Sequence, residues 1–188
     1  MKILTLLGSA RKKGNTATVL TMVEDELQNM GHEIERIALH NQDISGCLGC
    51  GKCKEKPHEI ACIQKDDATA IMEKMTAADG IIFTTPIYFW GFSAQTKALM
   101  DRSYAFVTDY HKPGHTSLLK GKRIALLSTG ADSYENNAEG AFTSFDRFAD
   151  FLLAGSHDSL YITAGASVEE LRDNSVAQAT EFARSIVA

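Results

Sequence analysis

The sequence predicts a three-layer α/β sandwich, with a five-stranded parallel sheet and helices on both faces. Three observations carry this. Strand and helix signals alternate from one end of the chain to the other, the pattern of successive βαβ units. The clearest strand signals, Ile3-Leu4-Thr5-Leu6-Leu7 and Gly80-Ile81-Ile82-Phe83-Thr84-Thr85, are short, mostly apolar runs suited to strands covered on both faces. The chain has 188 residues, 44% hydrophobic and 23% charged, enough for one sizeable core.

The elements follow in order. Strand 1 is expected at 2–7. Helix 1 starts near Thr16, with Val19, Val23, Leu27 and Met30 on one face and Gly31 as its C-terminal stop. Strand 2 is expected at 33–39. The segment 40–66 has no clear period, and a loop of that length is usually functional or disordered. Asp66 or Asp67 is placed to cap a helix over 68–77. Strand 3 is 80–85 and helix 3 is 93–105. The stretch 106–120, with Pro113 and Gly114, reads as a loop. Strand 4 is 122–128. A helix over 139–153 turns Phe142, Phe145, Phe148 and Leu152 inward. Strand 5 is 160–163 and the last helix is 167–187. No internal repeat or linker interrupts the pattern, so one domain is expected over 1–188, with the loop at about 40–66 as its irregular part.

Five strands and five helices fit the order 2-1-3-4-5, the flavodoxin-like arrangement. Ligands there sit beyond the carboxyl ends of the strands, beside the switch between strands 1 and 3. The loops meeting at that edge are 8–15, 85–92 and 129–137.

The first loop and the helix start after it, Gly8-Ser9-Ala10-Arg11-Lys12-Lys13-Gly14-Asn15-Thr16, have the make-up of a phosphate site. The first-turn N–H groups of a helix have no intrahelical partners, and the helix dipole favours an anion there. Ser9, Asn15 and Thr16 add side-chain donors and Arg11 adds a charged fork. Five residues separate Gly8 from Gly14, and Asn15 stands where a P-loop needs Lys, so this is not a Walker A loop. The dinucleotide fingerprint is also absent. The donors suit one terminal phosphate without magnesium, and a mononucleotide such as FMN fits best. An ordinary capped βα turn is the plainer alternative. Lys12 and Lys13 read as a solvated turn, with a raised local potential for a phosphate or NADPH as the alternative.

The second loop, Pro86-Ile87-Tyr88-Phe89-Trp90-Gly91, places three aromatics beyond a strand end, which suits a flat ring. Pro86 fixes the backbone there. Core packing is the alternative. In the third loop, Thr129-Gly130 can approach a ring edge closely, although such residues are common in loops.

Composition excludes several classes. The net charge of −5 argues against a nucleic-acid or anionic-membrane partner. No apolar stretch approaches the ~20 residues of a membrane span. The N-terminal apolar run is too short for a signal-peptide core, so a cytoplasmic location is expected. Structural disulfides are unusual there. All four cysteines fall in one segment, Cys47, Cys50 and Cys53 spaced Cys-x2-Cys-x2-Cys and Cys62 after eight more residues. That compact spacing favours a [4Fe–4S] cluster. A zinc ion, a redox dithiol and a loop of unligated thiols remain open. Six histidines are scattered without paired metal spacing and read as surface residues, with His58 inside the cysteine loop. Lys97 and Asp101 are spaced to pair along a helix.

Taken together, these residues resemble the NADPH-dependent FMN reductases of the flavodoxin-like superfamily, near the iron–sulfur flavoprotein and WrbA-type branch. The resemblance covers most of the chain. It rests on Gly8-Ser9-x-Arg11-x-x-Gly14-Asn15-Thr16, the cysteine segment 47–62 and Lys65-Asp66-Asp67. It continues through Ala78-Asp79-Gly80-Ile81-Ile82-Phe83-x-Thr85-Pro86-Ile87-Tyr88-Phe89, Lys97 and Asp101-Arg102. It implies that Ser9, Arg11, Gly14, Asn15 and Thr16 hold the FMN phosphate. It implies that the loop 86–91 and Thr129-Gly130 border the isoalloxazine ring. It also implies a homodimer or homotetramer, with Asp101-Arg102 at a subunit contact. The iron–sulfur flavoproteins carry a similar cysteine motif with a shorter gap before the fourth cysteine.

The function expected is electron transfer from NAD(P)H through FMN to a quinone, a flavin or an iron–sulfur acceptor. No side chain is needed as general acid or base, because the flavin carries the chemistry. The alternatives are a non-catalytic electron carrier, with or without a cluster, and a redox-sensing protein.

Overall fold

The computed structural model describes residues 1–164 and 167–188. Its centre is a parallel sheet of β1 (Lys2–Leu7), β2 (Glu33–Ala38), β3 (Gly80–Pro86), β6 (Arg123–Gly130) and β7 (Ser156–Thr163), in the order β2-β1-β3-β6-β7. Two two-residue strands, β4 (Val107–Thr108) and β5 (Thr116–Ser117), pair antiparallel outside this sheet. Without them the order is the expected 2-1-3-4-5. The helices are α1 (Asn15–Asn29), α2 (Ala68–Ala77), α3 (Ala94–Arg102), α4 (Glu139–Phe151) and α5 (Val168–Val187).

The period of two along the strands splits the core into two layers. Leu4, Leu6, Ile81, Phe83, Ile124 and Leu126 pack with Ile71, Met72, Met75, Leu99, Phe142 and Phe145 from α2, α3 and α4. Ile3, Ile82, Ala125 and Leu127 face the other way, onto Val19, Val23 and Leu27 of α1 and Phe182, Ala183 and Ile186 of α5. Phe83 sits edge-on to Phe145 and Phe148, at centroid distances of 5.9 and 5.5 Å. Burial of each such side chain contributes about 1.5–3 kcal/mol.

Several boundaries differ from expectation for physical reasons. β7 begins at Ser156, four residues early, because it is an edge strand whose polar first half alternates in exposure. The third helix is shorter: Ser93 caps it, its side chain accepting from the Thr96 N–H, and after Arg102 the chain tightens into a 3-10 turn over Ser103–Phe106. The expected loop 106–120 contains the β4–β5 pair. Gly31 terminates α1 as expected, at a φ of 86° that favours glycine. Of the two expected caps for α2, Asp66 accepts from the Ala68 N–H, while the Asp67 carboxylate takes the Asp43 N–H. Among the described residues no helix is long and apolar enough to cross a membrane.

Candidate functional site

The carboxyl ends of β1, β3 and β6 border a cleft of about 330 Å3. Ser9, Arg11, Gly14, Asn15 and Thr16 line it from the first loop and the start of α1. Pro86, Ile87 and Tyr88 follow β3, Thr129, Gly130 and Ala131 come from β6, and Ala164 and Val168 complete the rim. The three loops expected at this edge therefore do meet.

The first loop is held from beneath. The Gly8 N–H donates to the Thr84 carbonyl at 2.7 Å, tying the end of β1 to β3. Ser9 is buried and its Oγ accepts from the Arg11 N–H. Gly14 is the N-cap of α1, with no side-chain cap, so the first-turn N–H groups open toward the cleft. Gly14 also lies against Arg11: a Cβ here would meet the Arg11 Cβ at 2.9 Å. Arg11 is exposed on the rim and forms no ion pair with any described residue.

Asn15 and Thr16 do something the sequence did not suggest. The Asn15 side-chain amide donates to the Ala164 carbonyl at 2.9 Å, and the Thr16 and Thr129 hydroxyls lie 2.7 Å apart in a buried contact. Their side chains tie the first loop to the ends of β6 and β7.

Tyr161 on β7, which the sequence reading passed over, holds the third loop. Its hydroxyl donates to the Asp132 carbonyl at 2.6 Å and accepts from the Asn137 amide at 2.7 Å. Burial pushes this phenol above its usual pKa, although the Asn137 bond acts the other way. Gly130 passes so close that a Cβ on it would lie 2.4 Å from the Tyr161 hydroxyl. A side chain at 130 would have to displace the Tyr161 hydroxyl from its two hydrogen bonds.

The second loop divides. Pro86, Ile87 and Tyr88 reach the cleft, and the Ile87 N–H donates to the Thr129 carbonyl at 2.8 Å. Phe89, Trp90 and Gly91 do not line it. Tyr88 and Gly91 exchange backbone hydrogen bonds across a two-residue turn whose corners, Phe89 and Trp90, have φ of 45° and 62°. Such a turn projects its corner side chains outward, and Phe89 is 94% exposed. Of the three aromatics expected to flank one ring, Tyr88 lines the cleft and Phe89 and Trp90 do not.

The cysteine segment lines a second cavity. Cys47, Cys50, Cys53 and Cys62 all line one cavity of about 210 Å3, together with Arg102 and Tyr104. All four are free thiols. Among the described residues no three acidic, histidine or cysteine side chains are already gathered as a metal cage. Burial pushes the Cys53 thiol upward in pKa, the other three cysteines add to this, and Lys54 opposes it.

The segment is anchored at both ends. The Lys54 ammonium lies 3.8 Å from the Tyr104 ring centroid and donates to the Tyr104 and Val107 carbonyls. Arg102 grips Asp66 with two hydrogen bonds, 2.6 and 2.9 Å, and donates to the Ser45 carbonyl at 3.0 Å. Asp66 in turn accepts from the Ser45 N–H. The expectation of Arg102 at a subunit contact is thereby corrected: it is 2% exposed, inside the protomer, while Asp101 pairs with Lys97 on the surface as the spacing suggested.

The residues fit two groups. An uncapped helix start, an unpaired arginine and a buried serine hydroxyl are a donor set for a phosphate, below walls suited to a flat ring. Four thiols line one cavity beside a buried guanidinium, the ligand type of an iron–sulfur centre, without three of them being gathered into a cage among the described residues.

A family model described as NADPH-dependent FMN reductase matches residues 1–150. An iron-sulfur flavoprotein of Methanocaldococcus jannaschii is 43% identical over 103 residues, covering 55% of this chain and 52% of the relative. One from Archaeoglobus fulgidus is 34% identical over 122 residues, covering 65% and 51%. The chain thus spans about half the length of these curated relatives. Among solved structures, an azoreductase from Bacillus anthracis superposes with a TM-score of 0.75 at 16% identity, covering 98% of this chain and 99% of that one. An NAD(P)H:quinone oxidoreductase from Methanothermobacter marburgensis superposes with a TM-score of 0.73 at 16% identity, covering 99% and 98%. At these identities the likeness shows the fold.

Proposed function

Because this chain belongs to the NADPH-dependent FMN reductase family, we propose that it is an FMN-dependent NAD(P)H oxidoreductase, with FMN held in the three-loop cleft. The observation that carries this is the convergence of Ser9, Arg11 and the open start of α1 with Tyr88, Thr129 and Gly130 around one cleft. The N–H groups of Asn15 and Thr16, the Ser9 hydroxyl and the Arg11 guanidinium would take the phosphate. Pro86, Ile87, Tyr88 and Gly130 would border the ring.

Bound FMN supplies hydride acceptance from a nicotinamide and electron delivery to a quinone, a flavin or an iron–sulfur acceptor. The side chains position and enclose. Among the described lining residues Arg11 and Tyr88 are the titratable ones, and the chemistry would be the cofactor's. The reading extends to one FMN-binding domain over 1–188, assembled as a homodimer or homotetramer in the cytoplasm. The test is anaerobic: FMN-loaded protein should bleach with NADPH or NADH, and no bleaching with either donor removes the reductase.

The cysteine cavity favours a second component. Cys47, Cys50, Cys53 and Cys62 would hold a [4Fe–4S] cluster, which the names of the relatives support and the shared cavity makes feasible. In that case the chain would work as an electron carrier between a nicotinamide or protein donor and a one-electron acceptor. Faster reduction by ferredoxin than by either nicotinamide would favour the carrier over the reductase.

A further inference from the structure

Arg102 is an expensive residue for a fold to bury. Its guanidinium is almost wholly removed from water, and isolated charges are tolerated there only when paired. The Asp66 carboxylate and the Ser45 carbonyl satisfy its two terminal nitrogens. Its Nε, also buried, has no acceptor among the described residues. A buried donor left unmade costs about 1–3 kcal/mol, more when charged, so such a group calls for an explanation.

The place of this nitrogen supplies one. Arg102 forms part of the wall of the cysteine cavity and Asp66 does not. Arg102 thus stands between Asp66 and the cavity, with Cys62 as the thiol next to it. Cys62 lies beside the guanidinium: burial works against the charge on Arg102, and Asp66 and Cys62 more than offset it. The clamp also fixes the ends of the cysteine segment, since Ser45 precedes Cys47 and Asp66 follows Cys62.

We propose that Arg102 is a positioning residue for the iron–sulfur centre: its unused Nε–H and its charge face the cysteine cavity, where they donate to a cluster sulfur and raise the reduction potential of the centre. This rests on the cluster reading of the cysteines given above. Four thiolates make the ligated centre anionic, and the one electron it accepts from a low-potential reductant makes it more so. Hydrogen bonds to the sulfurs and net charge are recognised determinants of such potentials. A fixed cation at the wall stabilises the reduced form more than the oxidised one. Its partner Asp66 sits behind it, so cancellation is incomplete.

The test uses the full chain, reconstituted anaerobically with iron and sulfide. Iron and labile sulfide are counted, and the midpoint is read by dithionite titration followed by electron paramagnetic resonance. The variants are Arg102→Lys, which keeps the charge and loses the planar fork, and Arg102→Gln with Asp66→Asn, which leaves no buried charge unpaired. Far-UV circular dichroism checks the fold.

Wild type is expected to hold the centre at the highest potential, R102K lower, and the double variant lower still. For the double variant the reduction equilibrium should be at least tenfold weaker, about 59 mV for a one-electron couple. If the double variant does not fold or does not keep iron, R102K alone decides by the same comparison. Equal midpoints in wild type and folded, iron-loaded variants overturn the role of Arg102 and leave the cluster standing. Wild type that takes up no iron overturns the cluster reading, and this proposal with it.

Discussion

The hydroxyls of Thr16 and Thr129 meet at 2.7 Å in a buried contact, although 113 residues separate them. Thr16 is in the first turn of α1 and Thr129 is at the end of β6. The contact joins the loop expected to hold a phosphate to the loop expected to hold a ring edge. Thr16→Val should leave Thr129 buried without its partner, costing about 1–3 kcal/mol. The loss should appear in urea unfolding and in a weaker FMN affinity together. A variant with full stability and full affinity would show that the contact does not set the cleft.

Arg11 is exposed and forms no ion pair among the described residues, so its removal should affect binding and hardly affect stability. Arg11→Gln should weaken FMN roughly 10- to 100-fold, the value of a charge-assisted hydrogen bond to phosphate. Riboflavin, which has no phosphate, should bind both proteins alike. Flavin fluorescence quenching measures all four affinities.

Gly130 and Tyr161 should be non-additive. Gly130→Ala drives a methyl into the Tyr161 hydroxyl at 2.4 Å and should cost about 1–3 kcal/mol by overpacking. Tyr161→Phe loses the bonds to Asp132 and Asn137, about 1 kcal/mol. Together they should cost less than their sum, because the second change makes room for the first. Thermal or urea unfolding of the three variants closes the cycle.

Asp66 sets a pH dependence. The Arg102 hydrogen bonds, helped by backbone N–H groups, hold its carboxyl below the usual range against the effect of burial. A carboxylate with a depressed folded pKa stabilises fully above its unfolded value, ~3.9, and that contribution disappears as pH falls through the folded value. Asp66→Asn should therefore cost about 3–5 kcal/mol at pH 7, by stranding the Arg102 charge. The gap from wild type should narrow below about pH 4, as followed by urea midpoints from pH 7 to 3.

Phe89 and Trp90 occupy a turn that suits other residues better. Both have left-handed backbone, the geometry of an Asn-Gly corner. Phe89→Asn with Trp90→Gly should stabilise the fold by roughly 1–2 kcal/mol and change FMN affinity by no more than about twofold. A large loss of affinity would return these rings to the cleft.

Much of this was legible in the sequence because it depends on local pattern. Continuous apolar runs marked β1 and β3, and their alternation with helices set the sheet order. The three loops followed from that order. What could not be read depends on contacts between distant residues. Nothing near Asn15 points to the carbonyl of Ala164, and nothing near Tyr161 marks it as the support of residues 130–137. The aromatic run suggested a ring site from composition, but the handedness of the backbone at Phe89 and Trp90 turns two of its members outward. The resemblance placed Arg102 with Asp101 at a subunit contact. Only the packing of α3 against the cysteine segment shows that it is buried and paired.

The central claim is that one cleft at the rim of the parallel sheet holds FMN by its phosphate. Titration of the purified chain with FMN and with riboflavin, followed by fluorescence, tests it most directly. The account predicts one FMN per chain, riboflavin at least about tenfold weaker, and loss of that preference in Arg11→Gln. Equal binding of the two flavins by wild type, or no binding of FMN, would contradict it.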